Sequence, residues 1–213
     1  MENKEIINII KEKSKYLYIT RDKSVLEDQI SELQKIEEEI LKTKKHYIEE
    51  QNEEYANLWL SFELIVNAIK NGLKMFILLK EGDPDNAWNN LVEAQNNVHW
   101  SIIAHEFNKE IQFGYNDFFN QIEKILFPPQ SFVSSSLIVG RSECSICKKN
   151  MQDCNHIKGQ CYMGEFCSEI ATEIKEFNHL ALVGTPADKR CRHTHMGNTN
   201  PPKLNLMTLK MDD

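Results

Sequence analysis

At 213 residues, 41% of them hydrophobic and 27% charged, the chain is long enough to bury a core without disulfides and has the composition of an ordinary globular protein. A formal net charge of −7 argues against a protein that binds nucleic acid over its whole surface, while leaving room for a local basic patch. The longest apolar runs, such as residues 75–79, are far too short to cross a bilayer, and the charged opening residues lead into no apolar leader core.

A cytoplasmic protein with reduced thiols is therefore expected, and six cysteines are not read as a disulfide framework. All six lie beyond residue 140, which points to one local use.

Up to residue 127 the pattern is helical and free of cysteine. A first helix opens near Asn3 and carries Ile6, Ile7, Ile9 and Ile10. A second is expected from Ser24, where Ser24 and Glu27 fit a capping box. Its positions Leu26, Ile30, Leu33, Ile36, Ile40 and Tyr47 step by threes and fours, with Thr43 filling one step. That is an amphipathic stripe of the kind a short coiled-coil seam uses.

A third helix, over about residues 54–80, is apolar on more sides (Leu58, Phe62, Ile65, Ile69, Phe76) and belongs at the centre of a bundle. Gly82-Asp83-Pro84 then reads as a left-handed stop, a cap and a first-turn proline. A fourth helix follows to about residue 107, with Trp88, Leu91, Val98 and Ile102 on its inner side. A fifth, short and aromatic, covers about residues 115–127. Antiparallel packing is the economical arrangement.

Pro128-Pro129 cannot continue a helix and marks the boundary. Beyond it the composition shifts to Ser, Cys, Gly, His and β-branched residues. Residues 131–139 are β-prone and end at Gly140. Residues 166–174 fit a strand or a helical turn, and 179–183 a strand leading into the turn Gly184-Thr185-Pro186. After residue 197, Asn198, Asn200, Pro201 and Pro202 suggest an irregular tail. The expected fold is thus α+β: a helical bundle or coiled-coil domain over 1–127, a zinc-stabilised β module over 128–197, and a tail over 198–213.

The chemistry concentrates in the second half. Cys144-Ser145-Ile146-Cys147 is a C-x2-C knuckle, and Cys154-Asn155-His156 follows after six residues. Three thiolates and an imidazole meet zinc's demand for four tetrahedral ligands, and a tight turn aims the first two sulfurs at one point. With four protein ligands the metal keeps no open position, so its expected role is structural. Lys148 and Lys149 would offset the negative charge of the thiolates. A redox C-x2-C would require a helix N-terminus in a thioredoxin-like setting, which this sequence does not offer. Cys161, Cys167, Cys191 and His193 form a conceivable second zinc set; the simpler reading makes Cys167 and Cys191 small core residues.

The knuckle, continuing through Ile157-Lys158-Gly159 and Tyr162-Met163-Gly164, resembles a zinc-knuckle segment of uncharacterised bacterial and phage-encoded proteins. Residues His179 to Val183 with Thr185-Pro186-Ala187-Asp188 look like the terminal strand and turn of tailed-phage prohead proteases. The resemblance covers about residues 126–193. It implies a small β module with zinc and a setting in phage biology or anti-phage defence. It does not carry over protease activity: Ser134, Ser135 and Ser136 stand where a nucleophile would be sought, but no histidine precedes them in a matching motif.

Other constellations are absent from the sequence. Glu93, His99, His105 and Glu106 lack the Glu-x-x-His spacing of a di-iron bundle, and there is no phosphate loop, dinucleotide fingerprint or His-Glu-x-x-His. Lys189, Arg190, Arg192 and His193, with His195 nearby, form a basic cluster that could touch phosphates or be a solvated turn. Residues 141–213 hold 10 Lys and Arg against 9 Asp and Glu, so the negative charge resides in the helical half.

The expected function is a non-enzymatic zinc-binding interaction protein. Its helical half would contact a protein partner or a second copy, with no membrane contact and no evident small-molecule substrate. A nucleic-acid-binding accessory factor is the alternative, and a protease-like remnant a third.

Overall fold

The computed structural model describes residues 2–19, 22–197 and 203–212. Among the described residues, the first half contains five substantial helices and one single turn: α1 (Asn3–Lys13), α2 (Tyr16–Ile19), α3 (Lys23–Glu49), α4 (Glu53–Glu81), α5 (Pro84–Ala104) and α6 (Lys109–Leu126).

Ion pairs fix the direction of the long pair: Lys23 with Glu81, Glu37 with Lys70, and Lys44 with Glu63. Each step up α3 is a step down α4, as in an antiparallel hairpin. Buried hydrogen bonds from Ser61 Oγ to the Ser101 carbonyl (2.8 Å) and from Gln112 Nε2 to Ser101 Oγ (2.9 Å) continue the alternation through α5 and α6.

As its all-round apolar character requires, α4 is central. Trp59, Phe62, Ile65, Ile69 and Leu73 are all buried. The stripe on α3 packs against it: Leu26, Leu33 and Ile40 are buried, while Ile30, Ile36 and Tyr47 line the same core. The coiled-coil seam expected there is thus an internal contact of this chain. The helix also starts earlier than the Ser24 box implied, because Asp22 accepts from the Ser24 N–H at 2.9 Å and is the cap. At the other end of α4, Gly82 takes φ 79° and Asp83 accepts from the Asn86 N–H, as the stop-and-start motif required. Asn108 caps α6, so that helix begins six residues before the expected Tyr115.

The second half is built on one long antiparallel ribbon, β1 (Phe132–Cys144) paired with β4 (Glu169–Val183). Between them lie β2 (Cys161–Tyr162) and β3 (Glu165–Phe166), which form a small hairpin. The expected break at Gly140 does not occur, since β1 runs through it to Cys144. The two strands expected at 166–174 and 179–183 are one continuous strand, whose charged residues are compatible with a solvent-facing ribbon. The tail also differs from expectation. β5 (His195–Met196), β6 (Lys203–Asn205) and β7 (Met211–Asp212) form a three-stranded sheet, with Asn205 and Met207 buried. Asn205 Oδ1 accepts from the N–H groups of Met207 and Thr208, which turns the chain between β6 and β7. Asn198, Asn200, Pro201 and Pro202 lie outside the described residues.

Both ends of the ribbon grip the helices. At the base, Phe132 stacks on Trp88 (6.3 Å between ring centres), Phe127 meets Trp88 edge-on, and the Trp88 indole N–H donates to the Lys189 carbonyl at 3.0 Å. At the far end, Asn57 Oδ1 of α4 accepts from the Gly164 N–H (2.8 Å) and the Cys161 thiol (3.0 Å), and Phe166 packs on Trp100. From Trp88 to Trp100, α5 advances about 18 Å, whereas β1 is about 40 Å long. The ribbon's middle is exposed on both faces.

A candidate metal centre between the strands

Cys144 is the last residue of β1 and is buried. The chain turns sharply after it. The Cys144 N–H donates to the Lys149 carbonyl (2.9 Å) and the Lys148 N–H to the Cys144 carbonyl (3.0 Å), with Lys148 at φ 59°. This closed turn brings Cys147 back beside Cys144. A 3-10 turn at Met151–Asp153, capped by Asn150, then delivers Cys154 and His156. The ligand atoms of Cys144, Cys147, Cys154 and His156 all lie within 4.8 Å of one another. Cys147 Sγ is 3.4 Å from Cys154 Sγ, and His156 Nδ1 is 3.3 Å from Cys154 Sγ and 3.6 Å from Cys144 Sγ. These spacings are close to the edges of a zinc tetrahedron, whose sulfur and nitrogen ligands each stand about 2.0–2.3 Å from the metal.

Tyr162 supports the imidazole. Its ring meets His156 edge-on at 4.7 Å, and its hydroxyl accepts from the Ile157 N–H at 2.9 Å, which ties down the segment carrying His156. Such an outer shell would fix the ring orientation of a coordinating histidine.

The thiols are not equivalent. Burial alone would push the Cys144 thiol up, but the backbone N–H groups of Cys147 and Ile146, with the Cys154 and Cys167 thiols, outweigh it and lower it to about 6. Burial, followed by the neighbouring Cys147 and Cys144 sulfurs, pushes Cys154 up to about 11, against the opposing N–H of His156. Of these two, Cys144 is the sulfur more ready to form a thiolate.

Cys167 adjoins this cluster. It is a buried thiol, as the simpler reading held, but its Sγ stands 3.6 Å from Cys144 Sγ, at the inner edge of the cluster. The small hairpin puts it there: its N–H donates to the Gln160 carbonyl (2.9 Å) and its carbonyl accepts from the Gly159 N–H (2.8 Å). The signal in the sequence was the pair of glycines, Gly159 (φ 83°) and Gly164 (φ 78°), which let the chain double back toward the knuckle.

The rest of the conceivable second set is dispersed. Cys161 bonds to Asn57, and burial pushes its thiol up to about 11. Cys191 is exposed at the ribbon's base, where its carbonyl accepts from the Val133 N–H, and His193 Nδ1 lies 3.2 Å from Ser131 Oγ. Among the described residues, one group of three or more potential ligands gathers within coordinating reach.

The basic cluster is occupied by carboxylates of the helical half. Lys189 Nζ pairs with Glu123 (2.6 Å) and reaches Gln95; Arg190 pairs with Asp188 and Glu93; Arg192, its side chain 4% exposed, pairs with Asp85 and donates to Gln130. Three of the acidic residues of the helical half are thus matched by basic residues of the second half. Glu106 pairs with Lys109, apart from Glu93 and its arginine. Ser134, Ser135 and Ser136 lie mid-ribbon opposite Ala181, Leu180 and His179.

Comparison of the chain with protein-family models, curated proteins and solved structures returns no match. Among the described residues, no helix is long and apolar enough to cross a membrane.

Proposed function

We propose that this chain is a non-enzymatic zinc-binding scaffold, in which the metal knuckle locks the far end of an exposed ribbon onto a helical body. The observation that carries this reading is the convergence of Cys144, Cys147, Cys154 and His156 within 4.8 Å. The donor set is closed, so a bound zinc would hold structure and offer no site to a substrate. Its contribution would be on the order of 10 kcal/mol at neutral pH, enough to decide whether the knuckle folds. The contact of Trp100 with Phe166 would report the event optically, because it joins the knuckle to α5.

The experiment is elemental analysis of the purified protein, followed by chelation. One zinc per chain is expected, and its removal should change Trp fluorescence and abolish amide protection between residues 144 and 169 while the helical signal persists. Protein that is metal-free as purified, does not take up zinc, and keeps its knuckle protected overturns the reading. The knuckle's resemblance to phage-encoded segments supports a setting in phage biology or anti-phage defence, which co-purification from the native host tests. The nucleic-acid reading has less support, since Lys189, Arg190 and Arg192 already have carboxylate partners.

A further inference from the structure

The stripe on α3 is covered by α4, so an interaction protein must present its adhesive surface elsewhere. The ribbon presents one. Its cross-strand pairs include Val133 with Leu182, Ser135 with Leu180, Leu137 with Phe177, and Val139 with Ile174. Residues 133, 135, 137 and 139 alternate along β1 and share one face. Their partners on β4 share that face too, although 180, 177 and 174 are spaced by threes. Register shifts between Ser136 and Leu137 and between Ile138 and Val139 each absorb one extra β4 residue, Asn178 and then Lys175. Each bulge thus returns the next apolar side chain of β4 to the same face.

The outcome is a row of six apolar side chains open to solvent: Leu182 is 73% exposed, Leu180 63%, Ile174 58% and Phe177 55%, with Leu137 and Val139 also exposed. A solvated ribbon would be expected to alternate apolar with polar residues and leave its bulges unrelated to that pattern.

We infer that this face is a homodimer interface, on which the ribbon of a second copy of the chain stacks apolar face to apolar face. Two arguments select a second copy. A specific interface needs at least about 1,200 Å² in total, about 600 Å² per copy, and six large apolar side chains that are 42–73% exposed make a contribution of that order. The row is also uncharged. Glu176 pairs with Ile138, whose side chain belongs to the opposite face, and Lys175 sits in a bulge. Two chains of net charge −7 can thus meet there without opposing carboxylates. Stacking would turn two isolated two-stranded ribbons, each marginal in water, into a four-stranded sandwich with sheets about 10 Å apart.

This inference rests on the reading of the chain as an interaction protein, but it is tested without reference to its zinc content, which is assayed separately. Sedimentation of the full, zinc-supplemented chain over a concentration series should show a monomer–dimer equilibrium. The double variant Phe177→Ser with Leu180→Ser changes two exposed residues and should leave the circular dichroism intact while raising the dimer dissociation constant at least about a hundredfold, as expected for central anchors of an interface. A photo-crosslinking residue at position 180 should attach to β1 or β4 of the second copy. Wild-type protein that stays monomeric throughout the series, a dimer indifferent to the double substitution, or crosslinks that land on the helical half overturns it. Association seen only with a different protein or with lipid vesicles overturns it too.

Discussion

Cys144 Sγ and Cys167 Sγ stand 3.6 Å apart, although 22 residues separate them in sequence and only one belongs to the four-ligand cluster. The distance brings a fifth donor, the Cys167 sulfur, to the edge of a cluster whose centre would need four donors. Serine at either Cys154 or Cys167 alone leaves four, and each single variant is expected to retain one zinc per chain at reduced affinity. The pair Cys154→Ser with Cys167→Ser leaves three and should lose it. Competition against a chromophoric chelator measures all three, with Cys161→Ser and Cys191→Ser as variants expected to bind like the wild type.

Acid should release the metal, because every thiolate and the imidazole must be unprotonated to coordinate. The lowered thiol of Cys144 sets the sign: its thiolate persists as pH falls from 9.0 and is lost through about 6. Zinc content after equilibrium dialysis is expected to hold at neutral pH and collapse below about pH 6. Loss of metal on raising the pH from 7 to 8 would contradict this.

Arg192 joins the two halves from a nearly buried position, whereas its partner Asp85 is 41% exposed. Removing the arginine leaves a carboxylate that water can solvate but deletes hydrogen bonds to a charged group and to Gln130. Arg192→Ala is expected to cost about 1–3 kcal/mol in denaturant unfolding. Asp85→Ala should cost at least as much, because it leaves a nearly buried guanidinium with only the neutral Gln130 side-chain carbonyl as acceptor.

Gly72 lies in the interior of α4, where alanine ordinarily stabilises by about 1 kcal/mol. Here a Cβ would stand 2.7 Å from Leu17 Cδ2 and 2.8 Å from Phe119 Cε1. The close approach of α2 and α6 requires the missing side chain. Gly72→Ala is expected to destabilise by about 1–3 kcal/mol, read as a lower thermal midpoint.

Much of this arrangement was legible in the residues themselves. Gly82-Asp83-Pro84 fixed the α4–α5 junction because its three conformational demands are local. The C-x2-C knuckle with Cys154 and His156 was legible for the same reason, since ligand spacing is a property of a short loop. What escaped depends on partners distant in sequence. The carboxylates that neutralise Lys189, Arg190 and Arg192 lie 66 or more residues away in α5, α6 and the start of α5, apart from the neighbouring Asp188. The continuity of β4 was obscured by apolar residues spaced in threes, which mimic a helix until the bulges are known. Cys167 looked like core filling because its approach to Cys144 depends on the β2–β3 hairpin.

The knuckle also serves as the turn of the ribbon. A two-residue turn would join such strands at little entropic expense, but here residues 145–168 must be traversed before Glu169 meets Cys144. Gathering the donors shortens that excursion to the first rung of the ladder, and zipping can proceed from there toward Phe132 and Val183. Where zipping begins also fixes its phase. A slip of one residue would turn the apolar side chains of β4 away from those of β1 and split the row, so the ion that closes the loop would keep both strands' contributions on one side.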